Sequence, residues 1–141
     1  MPLVNELIPI YEPGSRISCR ATTTKVLGKR FVAIAAIKDP ASRGLEADPG
    51  GTGGNVRVAP AAAADVRTFG VASHDCEVGK LVTVLRAGFV VPITAGVAIA
   101  YGDFIAPGAN GKAVVAASKA LAYGISLSDA VVDQDALVAL I

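Results

Sequence analysis

The sequence predicts a mainly β protein, either a small β-barrel or a β-sandwich. The first observation is that short apolar runs, separated by Gly, Asn and Asp turns, follow one another at close spacing from Phe69 to the last residue. Many short strands at such spacing are typical of small barrels and sandwiches. The second observation is that only one segment, which begins at Pro60, has the pattern of a helix start. We therefore expect at most one short helix.

The third observation is a sequence motif that occurs twice, which we call the doubled phrase. The first copy has Phe69-Gly70-Val71, then Asp75, then the apolar run Leu81–Val84. The second copy has Tyr123-Gly124-Ile125, then Asp129, then Leu137–Leu140, and its alignment on the first requires two extra residues, Asp135 and Ala136. Such an internal repeat predicts one β-rich supersecondary unit that is used twice.

The first element is an extended N-terminal arm, residues 1–13. Its three prolines remove backbone donors and disfavour a helix. Its apolar side chains need cover from their own domain, a neighbouring subunit or a third protein, and they are the candidate contact residues: Leu3, Val4, Leu7, Ile8, Ile10 and Tyr11.

A single β domain is predicted for the rest, residues 14–141, since a chain of 141 residues is typical of one domain. Apolar and polar residues alternate in part of Ser15–Thr24, which predicts a strand with one solvent-exposed face, and Phe31–Ile37 is predicted as a buried strand. Residues 38–55 form a long loop with a Gly-rich segment at 44–54, of the kind that is usually functional or disordered. Val56–Val58 is a short strand, and Pro60 with the four alanines that follow predicts the single helical turn.

The second half consists of predicted strands throughout. Leu81–Leu85 has apolar residues on both of its alternating faces, which predicts burial on both sides. Asn110-Gly111 is the strongest hairpin signal, because both residues tolerate positive φ. The other predicted strands are Phe69–Ala72, Phe89–Ile93, Val97–Ala100, Phe104–Ala106, Lys112–Ala116, Leu121–Leu127 and Leu137–Ile141.

Composition indicates a protein that interacts with partners through apolar surface. Apolar residues make up 52% of the chain and charged residues 18%, so we expect some apolar surface to be buried against a partner. A net charge of +1 gives no global field for nucleic acid or anionic lipid. The basic run from Gly14 to Arg30 and the acidic run from Ala120 to Ile141 are either solvated strand faces or complementary contacts, between subunits or with an acidic protein surface. Neither a signal peptide nor a membrane-spanning run is recognisable.

The only histidine lies in His74-Asp75-Cys76, which raises the question of a cysteine nucleophile. The corresponding stretch of the second copy, Ser128-Asp129-Ala130, keeps only the Asp. We therefore predict that Asp75 and Asp129 cap turns by bonding backbone N–H groups. Cys19 and Cys76 are predicted to be free, partly buried thiols, and nothing in the sequence supports the alternative of a disulfide.

No other chemistry is predicted from the sequence. One His, two distant cysteines and scattered Asp give no zinc or calcium pattern, and Gly50–Gly54 lacks the Lys and Ser/Thr of a P-loop. The basic residues Arg16–Arg30 lack the interleaved aromatic residues of a single-strand nucleic-acid binder. We expect no enzyme, no cofactor, no metal, no nucleic acid and no membrane.

Several phrases, in their order along the chain, resemble those of tailed-bacteriophage head decoration (capsid cement) proteins. Phe69–Asp75 followed by Gly79–Val84 is similar to a "GVA…D…G…VTV" phrase, and Gly102–Phe104 followed by Asn110–Val114 to a "GD…NGKV" hairpin. Tyr11–Gly14, Gly28–Val32 and the ending Tyr123–Ile141 resemble the entry segment, the first buried strand and the closing strand of that family.

The resemblance implies a non-enzymatic structural virion protein with a β fold of the tulip or clip type. Such proteins bind the outer surface of a capsid, commonly as homotrimers, and stabilise the lattice of major capsid protein. We accordingly expect a protein of the capsid exterior that is made in the host cytoplasm. The alternative is a small β-barrel module that binds a ligand such as a glycan and is displayed on a particle, which would require exposed aromatic residues in a groove.

Overall fold

The computed structural model describes residues 16–35 and 56–141. Within these ranges the chain forms ten strands and two short 3-10 turns, at Ala109–Gly111 and Lys119–Leu121. The strands are β1 Arg16–Ala21, β2 Phe31–Ile34, β3 Val56–Pro60, β4 Thr68–Ala72, β5 Leu81–Leu85, β6 Val90–Thr94, β7 Phe104–Pro107, β8 Ala113–Val115, β9 Gly124–Ser126 and β10 Asp135–Leu140. The predicted mainly β fold is confirmed, and the described ranges contain no helix with the length and hydropathy of a membrane span.

The first five strands close into a barrel in the order β1-β3-β2-β4-β5. β1 pairs with β3 in parallel and with β5 antiparallel, which completes the circle. Alternate side chains of β1 point inward, so Ile17, Cys19 and Ala21 are buried while Arg16 and Ser18 are exposed. This is the face assignment that the sequence predicts.

The last five strands form a sheet in the order β6-β10-β9-β7-β8. The two ends of this sheet meet at a single parallel bridge between Ala95, just after β6, and Ala113 in β8. The Gly96 N–H donates to the Ala113 carbonyl oxygen at 2.8 Å at the same place. The second sheet therefore curls towards closure as the first does.

The two sheets are copies of one arrangement. Arg16 lies opposite Leu85 in the first sheet, as Val90 lies opposite Ala139 in the second. The parallel pairing of Ala21 with Val58 corresponds to the bridge between Ala95 and Ala113. β1 to β5 thus have the counterparts β6, β7, β8, β9 and β10 respectively, and we call β1–β5 the first unit and β6–β10 the second unit.

The doubled phrase corresponds to the last hairpin of each unit, β4–β5 and β9–β10. The prediction that one supersecondary unit is used twice is confirmed, but the predicted two-residue insertion is wrong. Gly79 and Asp133 hold the same place, since the N–H of each donates to the carbonyl oxygen at the end of the unit's first strand, at 2.8 Å in both. Leu81 consequently corresponds to Asp135, and the two copies align over their whole length without an insertion.

The interiors of the two units correspond position by position. Ten buried apolar residues fill the first unit: Ile17, Cys19, Ala21, Val26, Val32, Val58, Ala72, Cys76, Val82 and Val84. Their counterparts are all buried as well: Val91, Ile93, Ala95, Ile99, Ile105, Ala113, Ser126, Ala130, Ala136 and Val138. The one polar member, Ser126, donates its hydroxyl to the Ser128 carbonyl oxygen at 2.7 Å, which satisfies the buried group.

The units are joined through the outer face of β2 and β4. Phe31, Ala33 and Val71 point away from the first barrel and belong to the same packed cluster as the interior of the second unit. Backbone hydrogen bonds tie the units together, from the Thr94 N–H to the Lys29 carbonyl oxygen at 2.9 Å and from the Ala64 N–H to the Pro107 carbonyl oxygen at 2.9 Å. The shared core and these bonds fix the relative position of the two units.

Four predictions about local structure need correction. The helix predicted at Pro60 does not form, because Pro60 ends β3 opposite Val32 and the Ala61 N–H continues the pairing to the Phe31 carbonyl oxygen. The strand predicted at Val97–Ala100 is reduced to one bridge, between Ile99 and Ala130. β5 is not buried on both sides, since Leu81 is 49% exposed. The strand predicted from Leu121 begins only at Gly124, after the 3-10 turn.

Candidate interaction surfaces

The six residues predicted to contact a shell or a subunit, Leu3, Val4, Leu7, Ile8, Ile10 and Tyr11, lie outside the described residues. The Gly-rich loop at 44–54 lies outside them too. The candidate sites considered below are therefore on the surfaces of the two units.

The His74-Asp75-Cys76 segment is a structural turn. Cys76 points into the first unit, and burial raises the pKa of its thiol, the opposite of what a nucleophile requires. His74 Nδ1 lies 2.8 Å from the Asp75 carbonyl oxygen. Burial likewise raises the pKa of the Cys19 thiol to about 12. Both thiols are free, as predicted, and both are buried where partial burial was expected.

Asp75 and Asp129 each accept a hydrogen bond from a backbone N–H group at an equivalent turn of the two units. Asp75 Oδ1 accepts the Gly28 N–H at 2.9 Å, and Asp129 Oδ1 accepts the Tyr101 N–H at 2.9 Å. Gly28 and Tyr101 begin the turns that lead into β2 and β7, which are counterparts. The prediction that these carboxylates cap turns is confirmed, with the addition that each caps the turn of the neighbouring strand.

The basic and acidic runs meet within the chain. Lys29 Nζ lies 2.8 Å from Asp135 Oδ2 across the junction of the units. Lys112 Nζ lies 2.7 Å from Asp133 Oδ1, and this hydrogen bond lowers the pKa of Asp133. The Lys29–Asp135 contact joins the basic run to the acidic run inside one molecule, whereas Lys112 lies outside the basic run. Among the described residues, no group of three His, Cys, Asp or Glu could hold a metal ion.

An apolar groove of about 640 Å³ lies on the described surface where the second unit meets the loop between β3 and β4 of the first unit. Its walls come from β7, β8, the 3-10 turn at Lys119–Leu121 and the loop between β3 and β4, and they include Ala106, Pro107, Val115, Leu121, Tyr123 and Val66. Three of these apolar side chains are well exposed: Val66 at 83%, Leu121 at 54% and Val115 at 45%. Nothing in the sequence pattern identified this groove, because its walls come from four separate segments. We call it the apolar groove.

The tyrosines in and near the second unit are placed poorly for sugar binding in the apolar groove. Tyr101, at 74% exposed, lies on the turn before β7 and does not line the apolar groove. Tyr123 does line the groove, but its ring packs on Phe31 with centroids 6.3 Å apart, and its hydroxyl lies 3.4 Å from the carbonyl oxygens of Asp65 and Val66. The apolar groove therefore lacks the exposed aromatic platform that the alternative of a glycan-binding module requires.

Comparison with known proteins agrees with this architecture. No protein of curated function matches the chain. Among solved structures, the chain is similar to "The crystal structure of head fiber gp8.5 N base in bacteriophage phi29", with a TM-score of 0.66 and 20% sequence identity over 89% of this chain and 92% of that chain. The sequence model described as "Phage cement protein" matches residues 11–140. This match confirms the resemblance to head decoration proteins, and the chain belongs to the phage cement protein family.

Proposed function

We propose that this protein binds the outer surface of an assembled phage capsid as a homo-oligomer, a trimer by its resemblance to decoration proteins, and stabilises the shell without catalysing a reaction. The observation that carries the proposal is the family match, which extends over both units and leaves out only the first ten residues and the last. The likeness to a head-fibre base shows the same fold. We place the mature protein on the capsid exterior, after synthesis in the host cytoplasm.

The architecture supports a mechanical role. A clamp must transmit load between its contact points without bending, and the two units share one packed core at their junction. The Lys29–Asp135 ion pair and the Thr94–Lys29 backbone hydrogen bond add polar ties across the same junction. Close-packed interiors have low compressibility, so a force applied to one unit is passed to the other.

The chemistry of the described residues also supports a structural role. Both thiols are buried with raised pKa values, and the only His is exposed on a turn, with its ring bonded to backbone. Reactive sites instead gather perturbed titratable groups in a cleft. The apolar groove contains no charged side chain among its lining residues.

The arm formed by residues 1–13 is our proposal for a contact with the shell or with a neighbouring subunit. It leads into β1, whose first residue, Arg16, has its guanidinium 5.4 Å from the centroid of the Phe89 ring at the boundary between the units. An extended chain spans about 3.3–3.6 Å per residue, so thirteen residues can reach roughly 45 Å from that point. Such a reach allows contact with major capsid protein beyond the footprint of the domain.

The proposal is tested by mixing the purified protein with capsids that lack decoration. We expect the protein to co-sediment with the capsids, to saturate at a fixed ratio to the major capsid protein, and to raise the temperature at which the shells break. A protein that folds fully but neither co-sediments nor shifts that temperature would contradict the proposal. Unexpanded precursor capsids are the matched control, because decoration of only the expanded shell would show which lattice the protein recognises.

A further inference from the structure

The internal duplication repeats one apolar face. In the first unit this face consists of Phe31, Ala33 and Val71 with Ala61, all at most 4% exposed because the second unit covers them. The pairing of the strands gives the counterparts of these residues in the second unit, where the equivalent face consists of Phe104, Ala106, Ile125 and Ala116. Within the described residues, the second unit covers the first version of this face, whereas Phe104, Ile125 and Ala116 of the second version are only half-buried. Ala106 is the one buried member of that second version.

The second version of the face borders the apolar groove. Ala106 and Ala116, the counterparts of Ala33 and Ala61, both line the groove. Lys119 covers part of the Phe104 ring, with Nζ 5.8 Å from the ring centroid, and the groove next to it is open. The exposed side chains of Val66, Val115 and Leu121 extend the apolar surface beyond these two alanines. A continuous exposed apolar surface of this kind is typical of an interaction site.

We propose that the apolar groove of one copy binds the first unit of a second copy, so that the contact between units inside the chain is repeated between chains. Within the chain, a five-stranded unit of this fold already packs on the equivalent face, and every copy presents such a unit. The groove lining carries no charge, which suits a permanent interface better than a transient one steered by electrostatics. The contact joins two different surfaces, and repetition of such a head-to-tail contact closes into a ring when the rotation allows it.

This inference rests on the proposed function only in that the oligomer would act on a capsid. Self-association itself is tested in the absence of capsids. The molar mass of the full chain is measured by light scattering and sedimentation over a wide concentration range. The two groove variants are Leu121→Asp and Val66→Asp, which place a charge in the proposed interface. The matched control is Val132→Asp, at 54% exposure on the turn before β10 and outside the groove.

We expect the wild type and the control to have a mass several times the 14.2 kDa of one chain. Each groove variant should have the mass of a single chain, or a dissociation constant raised at least tenfold, with an unchanged circular dichroism spectrum. A wild type that is monomeric throughout, or groove variants that are folded and still assembled, would overturn the inference. Should Leu121→Asp fail to fold, Val66→Asp decides, because Val66 is 83% exposed on a loop.

Capsid binding by the same proteins separates the two proposals. Groove variants that are monomeric yet still bind undecorated capsids support the inference, and they show that binding to the shell itself does not require assembly. A wild type that assembles through the groove but binds no capsid overturns only the proposed function. A monomeric wild type whose capsid binding is lost in the groove variants assigns the groove to the shell and overturns the inference.

Discussion

Gly70 and Gly124 occupy the same place in the two units, and the same two contacts keep both positions free of a side chain. A Cβ on Gly70 would lie 2.7 Å from Val84 Cγ1 and 2.5 Å from the Leu85 carbonyl oxygen. A Cβ on Gly124 would lie 2.5 Å from Val138 Cγ1 and 2.9 Å from the Ala139 carbonyl oxygen. The glycine of the doubled phrase is thus required by the close approach of the next strand.

We expect Gly70→Ala and Gly124→Ala to destabilise the protein by similar amounts, about 1–3 kcal/mol each, because the added methyl group forces apart a packed hairpin. Chemical denaturation measures the loss. Gly96→Ala is the milder comparison and should cost less, since its Cβ would lie 3.1 Å from Lys112 Cβ and 3.6 Å from the Ala113 carbonyl oxygen, so only a small shift is needed. A Gly70→Ala protein as stable as the wild type would show that the strands can separate without cost.

Asp75→Ala and Asp129→Ala should each cost about 1 kcal/mol, because each leaves a turn N–H without its carboxylate acceptor. The matched variants Asp75→Asn and Asp129→Asn keep a side-chain oxygen as acceptor and should retain more of the stability. Thermal unfolding measures all four proteins. Equal losses for Ala and Asn at both positions would contradict the capping role.

Acid should destabilise the fold through Asp65 and Asp133. The Arg67 N–H chiefly lowers the pKa of Asp65, with help from the Ala62 N–H, and the Lys112 hydrogen bond lowers the pKa of Asp133, both from the ordinary value of 3.8. A pKa that is lower in the folded state gives stability that is complete above 3.8 and is lost as the pH falls through the folded value. We expect the midpoint of denaturation to fall below pH 4, and to fall less steeply in Asp65→Asn.

Thr23→Gly should stabilise the protein by about 1 kcal/mol. Thr23 has a φ of 70°, and this left-handed conformation is unfavourable for a β-branched residue and easy for glycine. Thr24→Gly is the control, because Thr24 is not among the residues with positive φ, so glycine there should bring only the entropic cost of a more flexible unfolded chain. A lower denaturation midpoint for Thr23→Gly than for the wild type would contradict this account.

Deletion of residues 2–12 should abolish or strongly reduce capsid decoration while the β domain stays folded. The described core contains none of these residues, so circular dichroism and thermal unfolding should change little. A milder variant, Leu7→Asp with Ile8→Asp, keeps the length of the arm and removes its apolar character. Full occupancy of capsids by the truncated protein would rule out the arm as a shell contact.

Local alternation and turn chemistry were sufficient to predict most of the strands and the hairpin at Asn110-Gly111. The full extent of the duplication was not predictable, because counterpart residues need share only their burial. Cys19 corresponds to Ile93 and Arg16 to Val90, pairs with no common chemistry. Leu81 and Asp135 are both exposed, so burial does not constrain their residue types, and the difference in type between them suggests an insertion that is not there.

The surface was less predictable than the core. The arm could be recognised from its prolines and apolar residues, whereas the apolar groove depends on the distance between segments far apart in sequence. Val66 and Leu121 become neighbours of one groove only through the packing of the two units. Alanine-rich stretches such as 61–64 and 116–117 carry no local signal that tells a groove wall from a helix, which is why a helical turn was predicted at Pro60.

The two units also differ in how their second and third strands are joined. In the second unit, β7 and β8 are linked by the tight turn Gly108–Lys112, whereas in the first unit residues 35–55 separate β2 from β3. The pairing is the same in both, with Ile34 opposite Val58 as Pro107 is opposite Ala113. The second and third strands of a unit therefore reach the same pairing with a short or a long connection in sequence, so the register comes from the strands and does not depend on a tight turn between them.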